Sequence, residues 1–136
     1  MVRILLGLSG SGKTKEMIRT INDAAEKESG SVICIEKGNK LTYDINYKVR
    51  LVDYREYGLE GADALKAFIS GLHAGNFDIS HIFLKSIHKL LGTDDLEQLA
   101  AFCDWCADFG GRNSMSFTMT ATEDPAQAPD TLKKYF

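Results

Sequence analysis

Residues 7 to 14 read G-L-S-G-S-G-K-T. The spacing fits G-x-x-x-x-G-K-[ST] in full, a pattern whose backbone N–H groups cradle phosphate oxygens. Each residue type has a physical reason. Gly7 lets the chain leave a strand where a β-carbon would hinder it. Gly10 and Gly12 let the backbone approach phosphate oxygens closely, and the amides from Gly10 to Thr14 converge as an anion nest. A helix starting there adds the positive end of its dipole and its unpaired N–H groups. Lys13 is expected to reach the β- and γ-phosphates. The Thr14 hydroxyl is the candidate Mg²⁺ ligand, since hard oxygen donors suit that ion. The candidate nucleotide site is thus Gly7, Leu8, Ser9, Gly10, Ser11, Gly12, Lys13 and Thr14.

Hydrolysis needs a second acid on the metal, conventionally at the end of an apolar strand. The segment F-D-I-S-H-I-F-L-K-S-I frames such a strand, but Lys85 stands where the acid is expected and Ser86 follows. Two alternatives follow. Asp53, which ends the apolar run V-R-L-V-D, supplies the acid instead. Or the acidic position is lost, and Lys85 repels Mg²⁺ or partly replaces it as a counter-charge to the phosphates. Under the second alternative, nucleotide binds and is hydrolysed weakly or not at all.

Other chemistry-bearing residues read as structural. Glu36 ends the second predicted strand and could lie toward the phosphate side, whereas Asp94 and Asp95 suit helix capping. Cys103-Asp104-Trp105-Cys106 is a C-x-x-C lying deep in a predicted helix, on its apolar stripe. A redox pair needs its first thiol at a helix N-terminus, and a zinc site needs two further ligands at matching spacing. Core packing is the reading adopted. Arg50, Arg55 and Arg112 are read as surface groups, and His73, His81 and His88 as surface or half-buried ones. No arginine cluster suggests a nucleotide-kinase lid. Asn39-Lys40-Leu41-Thr42 departs from the N-K-x-D of GTP recognition, so ATP is the expected nucleotide.

The elements that must position the loop follow from apolar periodicity. Val2 to Leu6 reads as a buried strand. Lys13 to Glu28 reads as a helix with Met17, Ile18, Ile21 and Ala25 on one stripe. Ser31 to Glu36, Lys48 to Asp53 and Ser80 to Lys85 read as further strands. A helix spans Gly61 to Ala74. Another runs from a cap at Asp94 to about Phe109, with Gly110-Gly111 as its stop. Ser114 to Thr120 alternates apolar residues with hydroxyls and reads as a last strand with one face less buried. A short helix is expected from Asp130 to Phe136. Strands alternating with helices imply α/β architecture with a mostly parallel five-stranded sheet, in one domain over residues 1–136.

Composition sets the outer bounds. The 136 residues carry a net charge of −3, which excludes a wholly basic nucleic-acid binder and leaves room only for a local basic patch. No apolar run reaches the roughly 20 residues of a membrane span. With three cysteines and no signal-peptide pattern, the expected location is the cytoplasm.

The opening I-L-L-G-L-S-G-S-G-K-T, with the helix through Ile21, resembles P-loop NTPases generally. It is also similar to the first strand and loop of helicase–nuclease B subunits. The whole chain resembles a family of small Clostridia-type proteins labelled ATP-binding or twitching-motility ATPase-like. The supporting stretches are L-V-D-Y-R-E-Y-G, A-L-K-A-F-I-S-G-L, F-D-I-S-H-I-F-L-K-S-I and P-D-T-L-K-K-Y-F. That family usually carries an acid where this chain has Lys85. The resemblance implies a three-layer α/β/α P-loop NTPase fold and ATP binding. A chain that binds ATP and turns it over weakly is expected to act as a nucleotide-gated partner of another protein.

Overall fold

A computed structural model describes all residues, Met1–Phe136. Five strands, β1 (Val2–Gly7), β2 (Ser31–Glu36), β3 (Arg50–Asp53), β4 (Ile79–Leu84) and β5 (Ser116–Thr122), form one sheet in the order β1-β5-β4-β2-β3. Every pairing is parallel. The helices are α1 (Lys13–Lys27), α2 (Ala62–Gly75), α3 (Ile87–Leu91), α4 (Leu96–Asn113) and α5 (Asp130–Lys133). Parallel strands need crossovers, and those crossovers place helices on both faces.

The two faces are unequal. Alternation along the strands sends Leu5, Val32, Cys34 and Phe83 to one side, where they pack with Met17, Ile21 and Ala24 of α1. Ile4, Ile33, Ile35, Ile82, Leu84, Phe117 and Met119 face the other side, against Leu65 and Ile69 of α2, Leu90 of α3, and Leu99, Cys103 and Cys106 of α4. Met17 and Ile21 are wholly buried. Each such side chain contributes roughly 1.5–3 kcal/mol relative to exposure. The α1 face therefore anchors the helix that follows the glycine loop.

Several sequence expectations need correction. β5 is buried on both faces, because α1 covers one face of the strand and α3 and α4 pack against it as well. Its two buried hydroxyls are satisfied internally: Thr118 Oγ1 meets His81 Nε2 at 2.8 Å, and Thr120 Oγ1 accepts from Ser86 N at 2.8 Å. α4 is capped by Asp95, whose carboxylate accepts from the N–H groups of Glu97 and Gln98. It then runs through Gly110-Gly111 to Asn113. Gly110 is there for close approach: a β-carbon would collide with the Met115 carbonyl and sit 3.3 Å from the Phe117 ring. β3 starts two residues later than expected, because Val49 N still closes a turn onto Asn46 O. The short helix α3 carries too little periodicity to be read from sequence.

The cysteines are core residues. All three are buried and free, and burial pushes the Cys103 thiol up to about 12. His81 is buried too, against the surface or half-buried reading. Its ring stacks on Phe83, and Nδ1 lies 2.9 Å from the Glu28 carboxylate at the end of α1.

Burial lowers the His81 pKa more than Glu28 raises it. Folding therefore favours the neutral ring. The unfolded chain takes up the proton first as pH falls below about 6.5, so stability is full above that pH and declines below it, toward the lower folded-state value. Urea denaturation at pH 7.5 and 5.5 should show a larger loss for the wild type than for His81→Gln. Equal losses in the two proteins would refute this assignment.

Candidate functional site

All the strands point the same way, so their C-terminal ends share one edge of the sheet. The segment after β1 forms the loop at that edge, and α1 begins at Lys13. Gly10 and Gly12 adopt φ of +82° and +90°, left-handed values that cost an L side chain roughly 1–2 kcal/mol. Gly7 meets a steric limit: a β-carbon there would collide with Ser11 Oγ and lie 3.0 Å from Ser11 Cβ. The loop thus folds tightly over the end of its own strand, and Ser11 N donates to Leu8 O at 3.1 Å.

This folding leaves donors over. The backbone N–H groups of Gly10, Gly12, Lys13, Thr14 and Lys15 have no acceptor within the chain. Gly12 is the helix N-cap and has no side chain to cap it. The five residues that carry these N–H groups line one shallow depression. The Lys13 ammonium folds back onto Leu8 O at 3.1 Å, within the loop it would serve. Such a cluster of unpaired N–H groups, a helix N-terminus and a lysine is chemically suited to an anion with several oxygens.

The acids expected from sequence fall unevenly around this loop. Asp53 ends β3, the edge strand opposite β1. At about 4.8 Å per strand it sits about 19 Å across the sheet. Its carboxylate is held by Arg55 at 3.0 and 2.7 Å, and those bonds keep its pKa below the usual range. The structure does not bring Asp53 to the loop.

Lys85 follows β4, about 10 Å from β1 by the same spacing. It continues the α1-facing row of His81 and Phe83, the face on which Thr14 begins its helix. Its backbone N–H bonds Ile35 O at 3.0 Å. Its ammonium pairs with Glu36 Oε2 at 3.3 Å, and both side chains are largely buried. Glu36 Oε1 also accepts from Leu41 N at 3.4 Å. Lys85 is therefore a neutralised cation, with its carboxylate one strand further from the loop.

Sequence reasoning missed Glu123. Its backbone N–H donates to Gly7 O at 3.2 Å, tying the base of the loop to β5. Its side chain turns to the other face and approaches His88 Nε2 at 3.1 Å, although without hydrogen-bond geometry. His88 is itself fixed by its Nδ1–H donating to Thr93 O. Only strand order reveals this carboxylate, because β5 becomes the neighbour of β1 through pairing and not through sequence spacing.

The donor set for a divalent cation is thin. The Thr14 hydroxyl is exposed at the start of α1. No three His, Cys, Asp or Glu side chains gather anywhere to hold a metal ion. The expected acid position carries an ammonium. The residues present do not fit a protein-held Mg²⁺ site beyond the single Thr14 oxygen.

No protein-family model matches the chain, and no curated protein sequence matches it. No helix is long and apolar enough to cross a membrane.

Breaking the Lys85–Glu36 pair from one side leaves a buried charge alone. Glu36→Gln or Lys85→Met should each cost about 3 kcal/mol, as loss of one partner of a buried pair does. A Glu36→Gln/Lys85→Met double variant should recover most of that loss. Guanidinium denaturation reads all of them, and additive losses in the double variant would show that the two groups do not act as a pair.

Proposed function

We propose that this chain is a small P-loop protein that binds the phosphates of a nucleoside triphosphate, ATP, at Gly7–Thr14, and hydrolyses it weakly or not at all. The single observation carrying the reading is the set of unpaired N–H groups from Gly10 to Lys15 above a strand–loop–helix turn. An anion supplies the acceptors these donors lack. Lys13 would leave Leu8 O for the β- and γ-phosphates, and the loop glycines would keep their left-handed geometry.

Weak turnover is supported by the row of residues on the α1 face. Where an acid would orient metal and water, Lys85 and Glu36 neutralise each other. Asp53 lies across the sheet and is engaged by Arg55. The pair leaves no free carboxylate at that position to hold the ion, so binding should depend little on Mg²⁺. The resemblance to P-loop NTPases and to small ATP-binding proteins of the Clostridia type supports the same fold family and ligand. A motility role rests on a label alone and is not proposed.

Thermal unfolding with and without ATP tests the binding claim. A ligand that binds only the folded state adds about 2.7 kcal/mol at a hundredfold excess over its dissociation constant. ATP should raise the melting temperature with or without Mg²⁺, and Lys13→Ala should abolish most of the rise. No shift with any nucleotide would leave the loop as an interaction scaffold and sink the proposal.

Turnover is tested separately with Lys85→Asp. The introduced carboxylate faces Glu36, so this variant should gain Mg²⁺ dependence in stability and at least about tenfold in ATPase rate, roughly 1.4 kcal/mol off the barrier. A wild-type rate already in the ordinary enzyme range, or no gain in the variant, would overturn the weak-hydrolysis reading.

A further inference from the structure

Between β2 and β3, residues 37–49 contain no helix or strand. Loops of this length inside a compact domain are uncommon and are usually functional or disordered. This one is built. Leu41 and Val49 are buried in the core beneath α1. Asn22 of α1 clamps the loop from both sides: Nδ2 donates to Asp44 O at 3.0 Å, and Oδ1 accepts from Asn46 N at 2.8 Å. Two tight turns result, closed by Asp44 N to Leu41 O and by Val49 N to Asn46 O, each at 3.0 Å.

Each turn carries a tyrosine into solvent. Tyr43 is 98% exposed and Tyr47 90%, the two most exposed large apolar side chains of the chain. Neither ring packs on another aromatic or a cation. In the same segment Lys37, Lys40, Lys48 and Arg50 are all exposed, and none of the four takes part in an ion pair. Asp44 is the single acid among residues 37–50. The segment therefore carries four cations against one anion in a chain whose net charge is −3.

The chemistry selects among partners. Tyrosine is enriched at protein interfaces but lysine is depleted there, so the combination argues against a protein surface. Cations alone suit any polyanion. Free ring faces add value only where the polyanion offers flat bases to stack on, and those are accessible in single strands. A duplex hides its bases, and this loop presents no helix or ribbon to enter a groove. The clamped backbone also lowers the ordering cost of binding.

We propose that residues 37–50 bind single-stranded nucleic acid, with Tyr43 and Tyr47 stacking on bases and Lys37, Lys40, Lys48 and Arg50 neutralising the adjoining phosphates. The site is separate from the glycine loop and is tested without nucleotide, so its failure and that of ATP binding are independent.

The test is fluorescence anisotropy of a labelled oligothymidylate, about 20 nucleotides long, at about 50 mM salt. Binding in the range of about 1–100 μM is expected, as for sequence-independent electrostatic sites. A duplex of equal length should bind at least about fivefold more weakly. Tyr43→Ala and Tyr47→Ala should each weaken binding about fivefold or more, the effect of losing one stacked base, whereas Tyr→Phe at either position should retain it. Both rings are in solvent, so melting temperature and the ATP shift should not change. Lys40→Gln and Lys48→Gln should each reduce the salt slope by about 0.7. Absence of binding at about 200 μM would overturn the proposal. So would a Tyr43→Ala/Tyr47→Ala double variant binding like wild type, which would place the strand elsewhere or leave charge alone responsible. Equal affinity for duplex would do the same.

Discussion

Parallel pairing of all five strands is the constraint on which the rest of the molecule depends. It sends every strand's C-terminal end to one edge, and the glycine loop, Lys85, Glu36 and Asp53 all follow from that. An antiparallel neighbour would have put some of these side chains about a strand's length away from the loop. Parallel strands also require crossovers, so α1 must return across the sheet after the loop. Its buried stripe of Met17, Ile21 and Ala24 fixes where its N-terminus lies. The loop is thus held at two ends by ordinary hydrophobic packing, and its glycines need only solve the turn between them.

Strand order then decides which polar groups can cooperate. β5 separates β1 from β4, so the residue after β4 is two strands from the loop and the residue that ends β3 is four. That order removes Asp53 from consideration and leaves Lys85 with Glu36. A lone ammonium buried at that point would be costly. The carboxylate on the adjoining strand removes the cost by pairing at 3.3 Å, and it also helps to hold Leu41 at the start of the β2–β3 loop. One ion pair thereby joins the C-terminal edge of the sheet to the base of the tyrosine-bearing loop.

Much of this was legible in the sequence. Long apolar-periodic segments such as Lys13–Lys27 and Ala62–Gly75 fell close to their expected bounds, because a helix stripe repeats several times within them. Continuous apolar runs such as V-I-C-I correctly signalled strands covered on both faces. The failures have a common origin. Gly110 looked like a stop and is a contact with Met115 and Phe117. Thr118 and Thr120 looked like a less buried face and are buried partners of His81 and Ser86. In each case a contact outside the residue's own helix or strand overrode its local preference. Glu123 escaped notice for the same reason, since nothing near it in the chain marks it as the neighbour of Gly7.

The sequence alone determined the α/β class, the strand–loop–helix at Gly7–Thr14, and an ammonium at position 85 where an acid was expected. These depend on residue type, spacing and periodicity, which act over a few turns of chain. The tertiary structure alone decided which carboxylate meets Lys85, how far Asp53 lies from the loop, and that Tyr43 and Tyr47 stand in solvent on a clamped backbone. Those depend on which strands become neighbours and on what the core leaves uncovered, and both are set by the packing of the whole chain.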